Sequence, residues 1–145
     1  MIYRRIVDIS DSDIPFLSSV LKQPEVARFL SIDQENYWTY VTKTENVFYF
    51  KVFNKNTLVA ATHCEIFDRT LYMDIMVIPK YQGNGIATQI LHDIKFGKLT
   101  LNFDKIEVSI DENNIASINL FEKEGFVLIS KETELRNYIY LKHFC

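Results

Sequence analysis

The stretch that points most directly to chemistry is a glycine-containing turn between a strand-like and a helix-like segment. The apolar run 77–79 leads into Gln82-Gly83-Asn84-Gly85, and a helical pattern starts at Ile86. The first N–H groups of a helix lack partners within the helix and lie at the positive end of its dipole. Gly83 and Gly85 let the backbone approach a ligand without a Cβ in the way. The turn therefore predicts an anion site, most often a phosphate site, and its alternative is a plain strand-to-helix turn.

Two other phosphate motifs do not fit this turn. A P-loop needs the pattern GxxxxGK[ST], which the sequence does not contain. A dinucleotide fingerprint needs a third glycine at position 88, where Thr88 stands, and favours a parallel sheet from the start of the chain. A fold that binds dinucleotides is therefore the least favoured hypothesis.

Asp74 is the carboxylate with the most unusual setting. It is the only acidic residue in the apolar run 71–78, and residues 72, 74, 76 and 78 of a strand share one face. A carboxylate in this position can act as a general base, directly or through a water, or it can have a structural or solvated role. His63 and Glu65, on the preceding predicted strand, are alternative bases.

Hydrophobic periodicity predicts the elements that position these residues. Strands are expected over 2–9, 47–53, 58–67, 71–78, 105–110, 126–129 and 138–141, and helices over 12–22, over 24–43 with a break, from 86 to Gly97, and from 113 or 114 to about 124. Ser10 to Asp13 are expected to cap the first helix. Because a helix separates strands 71–78 and 105–110, they are expected to pair in parallel through a right-handed crossover. The fold class is a mixed α/β single domain over residues 1–145, with the order β-α-α-β-β-β-α-β-α-β-β.

Composition excludes several functional classes. The chain has 145 residues, and its 16 Lys and Arg against 19 Asp and Glu give a net charge of -3, so a basic nucleic-acid footprint is not expected. No apolar run reaches the roughly 18 residues that a membrane span needs. Cys64 and Cys145 form no CxxC pair or disulfide framework, which fits a reduced cytoplasm, and nothing predicts a metal site.

The motif around the turn carries a family resemblance. Gln82 to Ala87 match Q/R-x-x-G-x-G/A, the acyl-CoA signature of the GNAT superfamily of N-acetyltransferases. Downstream, Asn114, Ala116, Leu120 and Gly125-Phe126 are similar to the family's N…A…LY…GF pattern. The chain thus resembles GNAT enzymes over most of its length, most strongly from 71 to 126.

The resemblance implies how acetyl-CoA would be held. The N–H groups of Gln82, Gly83, Asn84, Gly85, Ile86 and Ala87 would bind the CoA diphosphate, and Thr88 would add its hydroxyl. Backbone groups of Met76, Val77 and Ile78 would pair with the pantetheine arm where this strand splays from the next. Asn114 matches a cofactor-contacting position and is also a candidate helix N-cap.

The resemblance further implies transfer of an acetyl group to a primary amine by direct attack in a ternary complex. Phe121 stands in the cofactor site where many members carry a tyrosine that protonates the leaving thiolate, so Tyr72, Tyr138 and Tyr140 become alternative acids. The departure at Phe121 keeps a second reading open, a non-catalytic CoA-binding or sensing module. Dimers are common in the family, so a homodimer is also allowed.

The resemblance also implies that the acceptor site is built largely from segments 24–43 and 130–140. A peptide N-terminus, a polyamine-like molecule and an aminoglycoside-like drug all remain open as acceptors. The aromatic residues of the first segment, Phe29, Tyr37, Trp38 and Tyr40, either pack on the sheet or form the wall of this pocket.

Overall fold

The strands form one mixed sheet in the order β1-β2-β3-β4-β5-β7-β6. A computed structural model of the chain describes residues 1–27 and 36–142. The strands are β1 (Ile2–Arg5), β2 (Val47–Asn54), β3 (Thr57–Phe67), β4 (Thr70–Val77), β5 (Lys105–Asp111), β6 (Val127–Glu132) and β7 (Leu135–Leu141). The helices are α1 (Ile14–Leu21), α2 (Pro24–Ala27), α3 (Tyr37–Lys43), α4 (Ile86–Lys95) and α5 (Ile115–Lys123).

The pairing of the strands confirms the predicted mixed sheet. β1 to β4 form an antiparallel meander, β4 pairs with β5 in parallel, and β5, β7 and β6 are again antiparallel. The helix α4 lies between β4 and β5 in the chain, as a parallel crossover requires. The fold is therefore the expected mixed α/β arrangement.

Two helical layers cover the sheet. On one face, α4 and α5 bury apolar side chains against the central strands, with Ile90, Leu91 and Ile94 at 0 to 1% exposure. On the other face, α1 and α3 pack over β2 to β4 through a second cluster that contains Leu17, Val41, Tyr49 and Met76. Because successive strand residues point to opposite faces, the odd and even residues of β4 belong to different layers.

The first strand and helix differ from their predicted bounds. β1 ends at Arg5 instead of continuing to residue 9, and Val7 and Ile9 are 67% and 55% exposed. Asp13 occupies the N-cap of α1 but its side chain does not bond the helix. Asp11 and Asp13 instead bind Nζ of Lys51 at 2.9 Å and 2.8 Å. Their carboxylates neutralise a buried lysine of β2, and Oδ1 of Asp11 also accepts the N–H of Asp13, the N-cap residue, at 2.9 Å.

Of the predicted helical segment 24–43, the structure describes two parts, α2 and α3. Phe29 and its neighbours at 28–35 lie outside the described residues. No helix in the described ranges is long and apolar enough to cross a membrane.

Candidate active site

The parallel strands β4 and β5 pair over only three residues and then separate. Their register joins Thr70 to Lys105, Leu71 to Ile106 and Tyr72 to Glu107. β4 continues to Val77 and β5 to Asp111, and no described strand pairs with β4 on that side beyond Tyr72. The splay leaves the β5-facing edge of β4 open, with its backbone polar groups available to a ligand.

A cavity of about 430 Å³ lies where β4 ends and α4 begins. A 3₁₀ turn at Pro79–Tyr81 joins the two elements. Gly83 and Gly85 have φ of 81° and 75°, a region that suits glycine, and a Cβ on either would meet no protein atom within 4 Å. At these two glycines the cavity is therefore lined by backbone atoms, with no side chain in between.

The start of α4 presents unpaired donors to this cavity. None of the hydrogen bonds among the described residues uses the backbone N–H of residues 83–88. The N–H of Gln82 is different, because it bonds the carbonyl of Pro79 at 3.2 Å. The predicted set of donors from 82 to 87 is thus corrected at Gln82, whose backbone donor is already used.

Most of the predicted cofactor-binding residues line this cavity. They are Met76, Val77, Gln82, Gly83, Gly85, Ile86, Ala87, Thr88 and Asn114. Asn114 also caps α5, since its Oδ1 accepts the N–H of Ser117 at 3.3 Å. The structure thus shows the cap and leaves cofactor contact by this residue as a prediction.

Three predicted residues lie beside the cavity rather than along it. Ile78 is buried in the layer under α1 and α3. The amide of Asn84 donates to the carbonyls of Tyr81 and Gln82 at 3.0 Å and 3.3 Å and so closes the turn. Phe121 is 5% exposed and stacks edge-on against Phe126 with ring centroids 5.0 Å apart.

A second cavity, of about 680 Å³, is lined on β4 by the preceding residues, Tyr72 to Asp74. It extends across the splay to β5, β7 and β6, and Asp74, Glu107, Ser130 and Asn137 are among its lining residues. Asp74 lines this cavity while the next residue, Ile75, lines the smaller one. The two cavities therefore meet at β4, one residue apart.

These features agree with one sequence family. The profile of the acetyltransferase (GNAT) domain matches residues 4–127. The chain belongs to the GNAT family. A search of curated protein sequences gives no significant match.

Solved structures share the GNAT fold over nearly the whole chain. A domain from Methanocaldococcus jannaschii DSM 2661 is 23% identical, covers 97% of both chains and has a TM-score of 0.77. Spermidine N-acetyltransferase from Vibrio cholerae, in complex with CoA and spermine, is 16% identical, covers 97% of this chain and 95% of its own, and has a TM-score of 0.79. Campylobacter jejuni N-acetyltransferase PseH, in complex with acetyl coenzyme A, is 11% identical, covers 98% and 100%, and has a TM-score of 0.75.

Asp74, the candidate base of this GNAT protein, lies across the β3–β4 pair from His63. Burial raises the pKa of its carboxyl, His63 and its backbone lower that pKa, and Glu65 raises it. A carboxylate that is taken out of water holds a proton more tightly than an exposed one. Its position and its raised pKa together suit proton uptake in the cavity.

The alternative bases, His63 and Glu65, belong to a hydrogen-bonded chain beside Asp74. Nε2 of His63 lies 2.8 Å from Oε1 of Glu65, and Nδ1 lies 2.7 Å from the hydroxyl of Tyr37. The hydroxyl of Tyr40 donates to the same Oε1 of Glu65 at 2.6 Å. Both tyrosines come from α3. The sequence alone does not predict these hydrogen bonds, because no local pattern links residues 37 and 40 to residues 63 and 65.

The three alternative acids differ in their surroundings. The Tyr138 hydroxyl donates to Glu122 at 2.9 Å, and Tyr138 is 1% exposed. Tyr140 stacks against Phe126 and lies beneath Lys95. Tyr72 is 40% exposed and lines the larger cavity. Tyr138 lines the same cavity, so Tyr72 differs from it in being exposed and not in its position at the cavity.

Proposed function

We propose that this protein transfers an acetyl group from acetyl-CoA to a primary amine by direct attack in a ternary complex. The observation that carries the proposal is the meeting of two cavities at Asp74 and Ile75 of β4. A cavity with unpaired backbone donors suits the diphosphate of a CoA donor. A second cavity that is lined by the half-buried carboxylate of Asp74 suits an amine that must lose a proton.

The residues of the smaller cavity fit acetyl-CoA. Unpaired N–H groups at the start of a helix bind phosphate, and a Cβ at Gly83 or Gly85 would project into the space that a diphosphate needs. We assign the diphosphate to the N–H groups of residues 83–88 and the pantetheine arm to the open edge of β4 at Met76 and Val77. Thr88 and Asn114 add polar side chains to the same cavity. When bound, acetyl-CoA supplies a thioester, an activated acyl group.

Asp74 is the proposed general base. A primary alkyl amine has a pKa near 10 and is protonated at neutral pH, so it must lose a proton before or during attack. A carboxylate with a raised pKa accepts that proton more readily than an ordinary aspartate, directly or through one water. The proton then leaves through the cavity, which opens to solvent.

Two further requirements fall on the backbone and on the leaving group. A backbone N–H on the open edge of β4 can stabilise the negative charge that develops on the carbonyl oxygen. A free thiol has a pKa of about 8.5, so its thiolate can leave near neutral pH and take its proton from water. The reaction therefore does not require another residue to supply the acid that Phe121 cannot provide.

The acceptor and the location are part of the proposal. A small molecule and a peptide both remain suitable as amine acceptors, and the solved neighbours include a spermidine N-acetyltransferase. The cysteine usage supports the proposed location in the cytoplasm. A homodimer remains an expectation from the family.

Calorimetry with acetyl-CoA, followed by a thiol-release assay across a panel of primary amines, tests the proposal. We expect binding in the micromolar range and amine-dependent release of CoA. Absence of binding would contradict the whole proposal. Binding without release by any amine would favour the second candidate, a CoA-binding or sensing module, for which Phe121 in place of the usual acid is the supporting observation.

A further inference from the structure

The larger cavity has a strongly asymmetric charge. Four carboxylates line it, and no lysine or arginine of residues 1–27 and 36–142 does so. The carboxylates are Glu65, Asp74, Glu107 and Glu132. Outside the lining, Nζ of Lys105 lies 3.7 Å from Glu107 and offsets part of its charge. The field in the cavity therefore favours cations and opposes anionic acceptors.

Among these carboxylates, Glu65 is held in one orientation. Its Oε1 receives hydrogen bonds from His63 and from the Tyr40 hydroxyl. Nε2 of His63 must carry a proton, because a bare nitrogen 2.8 Å from a carboxylate oxygen would be repelled. The bond to Glu65, with a smaller effect of burial, raises the pKa of Tyr40 to about 12, so its hydroxyl stays a donor at neutral pH.

The second oxygen of Glu65 is left for a ligand. Oε2 accepts no hydrogen bond from any described residue, and the side chain is 35% exposed. Glu65 pairs with Tyr72, and Asp74 lies two residues further along β4 on the same face. The Cα atoms of such diagonal neighbours are about 7–8 Å apart in an antiparallel pair. An aliphatic chain of a few carbons can span that distance.

We propose that Glu65 is a specificity residue whose Oε2 binds a second, distal ammonium group of the acceptor while the reacting amine lies at Asp74. The acceptor class is then an aliphatic diamine or polyamine. This inference rests on the proposed function and concerns the same site. An acceptor with a neutral or anionic distal end leaves Glu65 without a partner, and an anionic end meets the repulsion of the remaining carboxylates.

A matched series of acceptors tests the wild-type protein directly. Thiol release is measured with 1,4-diaminobutane, butylamine and 4-aminobutanoate, which share the reacting amine and the carbon chain but end in an ammonium, a methyl and a carboxylate. We expect kcat/KM for the diamine to exceed that for butylamine by at least about tenfold, which corresponds to about 1.4 kcal/mol. We expect the lowest value for 4-aminobutanoate.

Substitution of Glu65→Gln tests the assignment to this residue. The ratio of kcat/KM for the diamine over butylamine should fall to near one. A merely structural defect would lower both values by the same factor and leave the ratio unchanged. Glu112→Gln, an exposed carboxylate outside the cavity lining, makes the same charge change and should keep the ratio.

Tyr40→Phe provides a second variant if Glu65→Gln folds poorly. Tyr40 is 41% exposed on α3, and its loss removes one of the two donors that hold Glu65. We expect a higher KM for the diamine with little change in kcat. Equal kcat/KM for butylamine and the diamine in the wild type, or an unchanged ratio in Glu65→Gln, would overturn the inference while the proposed function stands. No thiol release with any amine would instead remove the proposed function.

Discussion

Tyr72 of β4 and Glu107 of β5 form the last residue pair of the parallel ladder, and the two strands separate immediately beyond them. This early end of the pairing opens the β5-facing edge of β4 and creates the space for the larger cavity. Asp74 lies two residues beyond Tyr72 on the same face, next to that opening. The position of the candidate base and the shape of the larger cavity thus depend on where one strand pair stops.

Gly85→Ala should weaken acetyl-CoA binding by at least about tenfold. A side chain at φ of 75° costs about 1–2 kcal/mol, and its methyl group would enter space beside the unpaired N–H groups. Calorimetry measures the affinity. Gly97→Ala is the matched control, because Gly97 has φ of 84° but lies outside both cavities. Gly97→Ala should introduce a similar backbone strain but leave the affinity for acetyl-CoA unchanged. An equal loss of affinity in both variants would contradict the assigned diphosphate site.

Asp74→Asn should reduce kcat/KM by about 10²–10⁴-fold while acetyl-CoA still binds, since the amide cannot accept the proton. In the wild type, kcat/KM should fall as the pH drops through the pKa of Asp74, which burial raises above its ordinary value. The variant should lose this acidic limb. A pH profile of thiol release measures both effects.

Asp68→Asn is the control for that experiment. Asp68 lies in the exposed turn between β3 and β4, away from the larger cavity, and its loss should leave the profile unchanged. If the acidic limb persists in Asp74→Asn with a rate loss of less than about tenfold, another group is the base.

Asp74→Asn should also stabilise the fold at neutral pH. The raised pKa means that the folded state binds the Asp74 proton more tightly than the unfolded state does. The wild type therefore loses stability as the pH rises through that raised pKa, and the amide removes this loss. Denaturant unfolding at an acidic and an alkaline pH should show a larger advantage of the variant at the alkaline one. A lower stability of the variant at both would contradict the buried-charge interpretation.

Phe121→Tyr should destabilise the protein by about 1–3 kcal/mol without raising its activity. Phe121 is 5% exposed against Phe126, so the added hydroxyl would be buried with no partner prepared for it. Denaturant unfolding gives the change in free energy. Phe96→Tyr, at a position that is 75% exposed, is the neutral control. A gain in turnover for Phe121→Tyr would show instead that a hydroxyl at this position reaches the leaving thiolate.

The sequence was sufficient for features that depend on neighbouring residues. The change from strand-like alternation to helical spacing placed β4 and α4, and the glycines between them predicted the turn with unpaired donors. The parallel pairing of β4 and β5 followed from the helix that separates them in the chain. Asn114 was predicted as an N-cap because it stands directly before a helical pattern, and it caps α5.

Features that depend on contacts between distant residues could not be predicted from the sequence. The local sequence predicted that Asp11 and Asp13 cap α1, yet their carboxylates bind Lys51 about 40 residues away. A buried ammonium group attracts carboxylates more strongly than a helix N-terminus does, because the desolvated charge must be paired. The capping preference therefore gave the wrong partner for the side chain of Asp13, whereas Asp11 binds Lys51 in addition to the N–H of Asp13.

The sequence by itself determined the order of elements, the glycine-containing turn before α4 and the single carboxylate in the fourth strand, since each follows from a local pattern. Only the tertiary structure decided that the ladder ends at Tyr72, that Asp74 lines the larger cavity while Ile75 lines the smaller one, and that Tyr40 and His63 hold Glu65. The docking of α3 onto the sheet brings residues more than 20 positions apart into hydrogen-bonding distance. No periodicity along the chain encodes that approach, because it results from the packing of two separate apolar layers.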